Sequence, residues 1–201
     1  MTTKKSGATS LKIYNPKYLV VTPFTDANTV GQDSYVVEDV VRDSTTITQE
    51  DNEENPVESE FSSTPIVNNV TAGSYTFAAE VGDLQGDLAK ALAGFDVDEV
   101  SGRIYAPSGY KEVYAKIELV FAKVGGYIAA ILPKVQLNST VLIESLNSSV
   151  GRLTLNGIGY NFVMTDDTVS DDPGGEPART YTTPFMIDPD YTLPEGVGDS
   201  N

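Results

Sequence analysis

Carboxylates are the only abundant reactive groups in this sequence. Asp and Glu number 29 against 13 Lys and Arg, a formal net charge of -16, and the 201-residue chain contains neither His nor Cys. That removes an imidazole base, a Ser-His-Asp triad, a thiolate nucleophile, a disulfide framework and every His- or Cys-held metal. Paired carboxylates could in principle run glycoside hydrolysis. With this many acidic residues some pair always falls at a suitable distance, so the pattern does not single out a pair. The acidic run Glu50, Asp51, Glu53, Glu54, Glu58 and Glu60 lacks the D-x-[DN]-x-[DN]-G spacing of a calcium loop, and so does Asp96, Val97, Asp98, Glu99. The expectation is therefore no catalytic residue, no metal and no cofactor. A surface this acidic repels phosphate and anionic lipid, which disfavours a grip on DNA or a membrane.

The elements that carry these residues read as mainly β. In 34–50, Tyr35, Val37 and Val41 share one face and Val36 and Val40 the other, which suits a strand covered on both sides. The acidic run then reads as a solvated loop at the tip of a long hairpin, interrupted by Pro56. In the next strand Tyr75, Phe77, Ala79 and Val81 alternate with Ser74, Thr76, Ala78 and Glu80. One short helix is predicted over 84–94, with Leu84, Leu88 and Leu92 on its core face, Asp83 as its cap and Gly94 closing it. Val113, Ala115, Ile117, Leu119 and Phe121 predict a half-buried strand, and Gly125 with Gly126 a hairpin turn. Further strands follow, punctuated at 147–149 and at Asn156 and Gly157.

The fold class is thus an antiparallel β-sandwich or partly closed barrel with one flanking helix. Residues 1–10 read as a mobile end, 11–164 as the β domain and 165–201 as an acidic, Pro-rich arm. No apolar h-region follows the N-terminal lysines and no run is long enough to span a bilayer. Tyr181, Phe185, Met186, Ile187 and Tyr191 break the arm's polarity, so it can dock on a neighbour or fold back on its own domain.

The order of these elements resembles the major tail tube proteins of tailed bacteriophages. The residues that carry the resemblance are the Thr-rich strand with its acidic exit, DSTTITQED, and VTAGSYTF at 70–77. The helix pattern from Asp83 and Leu84 to Gly94 and the ILPKVQL strand, with Leu132 before Pro133, complete it over about 35–164. The resemblance implies a structural virion protein without enzymatic activity, assembled in the host cytoplasm. Six copies would form a ring, and rings would stack into a tube through which double-stranded DNA passes without specific binding. Its partners would be copies of itself and other tail proteins, with no membrane. A long hairpin would seal the ring and an inner sheet would line an acidic lumen.

On that reading the strands over 42–49 and 72–80 form the inner sheet. Ser74, Thr76 and Glu80 face the lumen opposite the core set Tyr75, Phe77 and Ala79. Ser44, Thr46 and Thr48 face it too, if Ile47 marks the buried set of its strand. Glu50, Asp51, Glu53, Glu54 and Glu58 are then intersubunit loop residues. Two other classes fit the same composition: a β-sandwich binding, adhesion or virion decoration module, and an acidic nucleic-acid mimic.

Overall fold

The computed structural model describes residues 16–38, 40–41, 43–59, 62–82, 86–98, 100–109, 111–142, 152–166 and 179–194. Its strands are β1 (Tyr18–Asp26), β2 (Thr29–Val30), β3 (Tyr35–Val37), β4 (Thr46–Gln49), β5 (Glu53–Ser59), β6 (Ser62–Thr71) and β7 (Tyr75–Val81). After helix α1 (Gly86–Ala93) come β8 (Asp96–Val97), β9 (Ile104–Tyr105), β10 (Val113–Lys123) and β11 (Gly126–Leu142). The last are β12 (Arg152–Gly159), β13 (Phe162–Asp166), β14 (Arg179–Thr183) and β15 (Met186–Tyr191). The chain is mainly β, sandwich-like and antiparallel, as its alternating patterns predict.

One nine-stranded sheet runs β2-β1-β10-β11-β12-β7-β4, with β3 on β1 and β15 on β11. The sheet curls strongly. Val37 is the register partner of Leu19 on β1, and Val40 bridges Val81 on β7. Three residues span at most about 10 Å, roughly two strand spacings. The chain therefore crosses from one end of the sheet to the other between β3 and β4, and the sheet wraps its core without closing. This corrects the expected pairing of Val36 with Val40. Tyr35, Val37 and Val40 turn to the main core, while Val36 packs against a second cluster on the opposite face.

The main core gathers Leu19, Phe77, Ile117, Leu132, Leu137 and Leu155 from five strands, and α1 packs on it through Leu88 and Leu92. Leu84 lies outside the described residues. Asp87 sits in the first helical turn and Lys90 in the last, each complementing the helix dipole. Gly94 takes φ +68°, and a Cβ there would meet Lys111 Cδ at 2.6 Å, so only glycine ends this helix without strain. Ser139 Oγ donates to the Leu92 carbonyl at 2.8 Å, satisfying one of the acceptors a helix end leaves open.

Gly125 closes the β10–β11 hairpin at φ +83°, as expected. Asn156 and Gly157 do not interrupt the chain: both lie inside β12. A Cβ on Gly157 would sit 2.3 Å from Val135 Cγ1, so the glycine serves the close approach of β11.

β11 is 17 residues long, and β12 pairs only with its second half. β15 fills the same edge beside the first half, with Ile131 opposite Met186 and Tyr127 opposite Tyr191. Of the two placements open to the arm, this part folds back on its own domain. Met186, Tyr191 and Leu193 cover the second cluster, built from Tyr18, Val20, Val120, Ala129 and Ile131. Buried beside them is Glu118, 3% exposed, paired with Lys116 Nζ at 2.7 Å and accepting from Tyr191 Oη at 3.1 Å. Burial and the Glu118 charge both raise the Tyr191 phenol, keeping it protonated as the donor. Lys123 holds the strand's far end through Asp190 and the Pro189 carbonyl.

The acidic run is a loop only in part: Glu50 and Asp51 connect β4 to β5, and Glu60 lies outside the described residues. Glu53, Glu54 and Glu58 lie on β5, which pairs with β6 into a two-stranded ribbon continuing the hairpin beyond β4 and β7. Among the described residues the ribbon makes no extensive contact with another element. A two-stranded ribbon alone in water is marginal. Amide hydrogen exchange in the free subunit is accordingly expected to be faster over 53–71 than over β7 and β12, and protection there equal to the core strands would contradict it.

Candidate functional site

The candidate site is the outward face of β4, β7 and β12. Phe77, Ala79 and Val81 point into the core, so strand alternation turns Thr76, Ala78 and Glu80 outward. Ile47 packs on the main core, which places its neighbours Thr46 and Thr48 outward, and both are exposed. Register sets Thr46 opposite Ala78 and Thr48 opposite Thr76. Ala78 is opposite Asn156 on β12, and Asn156 is opposite Asn138 on β11. The result is a row of hydroxyls and amides across four strands. Thr76 Oγ1 donates to the Thr48 carbonyl at 3.4 Å. The cation beside the row, Arg152, stands 3.5 Å from Glu80.

Two of the predicted wall residues have different work. Asp43 takes φ +62° and starts a turn, so β4 begins at Thr46 rather than at 42. Ser44 closes that turn: its Oγ donates to the Val41 carbonyl at 2.7 Å and accepts the Glu80 N–H at 3.0 Å. Ser74 hydrogen-bonds the Glu50 carboxylate at the root of the ribbon, where Glu50 N–H also donates to the Ser74 carbonyl. Among the predicted loop residues Glu50, Asp51, Glu53 and Glu54 are exposed, and the Glu58 side chain lies outside the described residues.

The small Ala78 side chain leaves a shallow cavity of about 510 Å³ edged by Thr76, Gln136, Asn138, Asn156 and Ile158. Next to it Tyr160 Oη donates to Gln136 Oε1 at 2.7 Å, and Gln136 Nε2 to Glu112 at 2.6 Å. Sequence periodicity did not single out these β11 and β12 residues, because their partnership depends on register between distant strands. A second open cavity of about 580 Å³ lies between the β1–β2 turn, α1 and the start of β10. At that turn the Asn28 N–H donated to Asp26 holds its carboxyl below the usual range. The Ser101 hydroxyl and the Val100 N–H do the same for Asp98 in the turn between β8 and β9. Both carboxylates cap turns. Among the described residues no three carboxylates gather as a metal site, and no helix is long and apolar enough to cross a membrane.

No protein-family model matches the chain, and no curated protein is significantly similar to it.

Proposed function

We propose that this chain is a structural subunit that assembles with copies of itself into rings, and rings into a tube of the bacteriophage tail type. The observation that carries this reading is the hairpin from Thr46 to Val81. β4 and β7 seat its base in the sheet, while β5 and β6 continue it as a separate two-stranded ribbon without extensive contact to another element among the described residues. Such an extension suits contact with a second copy.

The sheet edges fit the same role. β4 ends the sheet with the sequence TITQ, free of charge and proline. The β15 sequence carries Asp188, Pro189 and Asp190, which resist edge pairing. Head-to-tail closure of a ring needs two complementary surfaces on opposite sides of the subunit, and the uncharged β4 edge can supply one of them. The outward wall would then line the lumen. Threonines, amides and Glu80 offer DNA neither a free cation nor a broad apolar grip, so transit is not arrested.

Negative-stain electron microscopy and sedimentation velocity over a concentration series test the reading. Rings or filaments at high concentration are expected; a monomer throughout would overturn it. A binding or decoration module is the second reading, favoured by the amide-edged cavity over Ala78. It predicts that monomer together with a bound ligand.

A further inference from the structure

Charge is divided unevenly along the chain. Residues 43–89 hold ten Asp and Glu and no Lys or Arg, whereas residues 90–164 hold seven Lys and Arg against six Asp and Glu. The acidic stretch contains the β5–β6 ribbon, and β5 carries Glu53, Glu54 and Glu58. The other stretch supplies Lys90 on α1 and Lys111 just before β10, which edge the cavity of about 580 Å³ beside the β1–β2 turn. Both lysines are exposed, and neither ammonium group has an ion pair or hydrogen bond among the described residues. The Lys111 stem lies against Gly94 at the helix end. Three carboxylates share the cavity. Asp26 accepts the Asn28 N–H, and Glu112 accepts from Gln136 and Tyr114. Two unpaired ammonium groups thus stand against one further carboxylate, Asp33.

Register puts ribbon and cavity at opposite ends of the sheet. A row of register partners, Pro23, Ala115, Val135, Gly159, Tyr75 and Gln49, crosses six strands. From this row β1 runs on into its turn at the cavity. β4 is five antiparallel pairings away from β1, so it leaves the row in the opposite direction, into the ribbon. From Glu53 to Ser59 the ribbon carries the hairpin roughly 20 Å further that way. The ribbon of one chain therefore points away from that chain's own cavity.

We infer that the cavity edged by Lys90 and Lys111 receives the acidic β5–β6 ribbon of a second copy of the chain. Two copies at net -16 repel over most of their surface, so a stable contact needs a place where opposite charges meet. The two unpaired lysines are such a place, and the ribbon, drawn from a stretch without a cation, is its complement. Because the two lie at opposite ends of the sheet, copies stacked head to tail present the ribbon of one to the cavity of the next, and the contact repeats along the stack. Phe24, Tyr35 and Val113 give the cavity an apolar lining. Ion pairs formed there are partly screened from water and count for more than on an open surface.

This inference rests on the assembly proposed above, and its test separates the two. Sedimentation velocity over a concentration series is run on the full chain and three variants, with melting followed by circular dichroism. Lys90→Glu with Lys111→Glu should melt like the parent and need roughly ten-fold or more higher concentration to associate. Glu53→Lys with Glu58→Lys should weaken association likewise, although it lowers the net negative charge and would strengthen association if overall repulsion alone set it. All four substitutions in one chain exchange the signs, and association should return close to the parent's. Pairs that associate like the parent would overturn the inference, and so would losses that the exchanged chain does not recover. In either case rings or filaments of the parent leave the tube reading standing. Recovery in the exchanged chain with a parent that stops at dimers would support the contact and overturn the tube. A parent that never associates would overturn both. Should the glutamates lower the melting temperature, Lys90→Gln with Lys111→Gln tests the same contact, with a smaller loss of association expected and none overturning it.

Discussion

Replacing Leu88 by alanine is expected to cost about 2–4 kcal/mol of folding stability, the usual range for a leucine cut back inside a core. Leu88 is 4% exposed and Leu92 1%, and together they seat α1 on the sheet. An eight-residue helix holds little stability of its own, so its packed face must supply it. Leu92→Ala should cost as much or more, because it also disturbs the turn whose carbonyl Ser139 satisfies. Lys90, exposed on the same helix, should tolerate alanine within about 0.5 kcal/mol. Equilibrium urea unfolding measures all three. A loss below about 1 kcal/mol at Leu88 would show that the helix is dispensable to the core.

The features legible in the sequence are those decided by burial close to home. Tyr75, Phe77, Ala79 and Val81 had to alternate because one face of their strand meets the core, and the helix announced itself by leucines four apart and a closing glycine. The β5 ribbon escaped the same logic. Glu53 and Glu54 are both exposed, so this strand gains nothing from alternating polarity and its charge run imitates a loop. The β15 strand escaped for another reason. Its partners Ala129, Ala130 and Ile131 lie more than fifty residues away, and its prolines and aspartates suit an edge strand as well as a free arm. Gly157 read as punctuation because a glycine that makes room for a neighbouring strand looks, in sequence, like one that makes a turn. The wall itself was half legible. Ile47 fixed which residues of its strand point outward, but Ser44 lay beyond a turn that only the positive φ of Asp43 reveals. The amides of β11 and β12 joined the wall through register, which periodicity within one strand does not encode.

Lysines placed on that wall should make an assembled tube hold DNA. Thr46, Thr48 and Thr76 are the positions, but Thr48 and Thr76 face each other across the β4–β7 pair. Two lysines there would repel at a cost of about 0.2–1 kcal/mol. Thr46→Lys with Thr76→Lys is the better pair, since Thr46 is opposite Ala78 and the two new charges sit on a diagonal. Thr46 is exposed and Thr76 partly so, so the stability change should stay within about 0.5 kcal/mol per site. Assembly should therefore proceed. Repeated around a ring and along a stack, each added cation faces the phosphates of DNA in the lumen. Retention should be strong at low salt and fall steeply as salt rises, because each phosphate neutralised releases counterions. The parent tube should retain nothing across the same series. DNA retained by variant tubes after nuclease treatment, measured at several salt concentrations, reads the effect directly. Tubes that form normally yet retain no DNA at any salt would place Thr46 and Thr76 outside the lumen, on the outer surface of the tube, and would leave the inward side to the opposite end of the curled sheet.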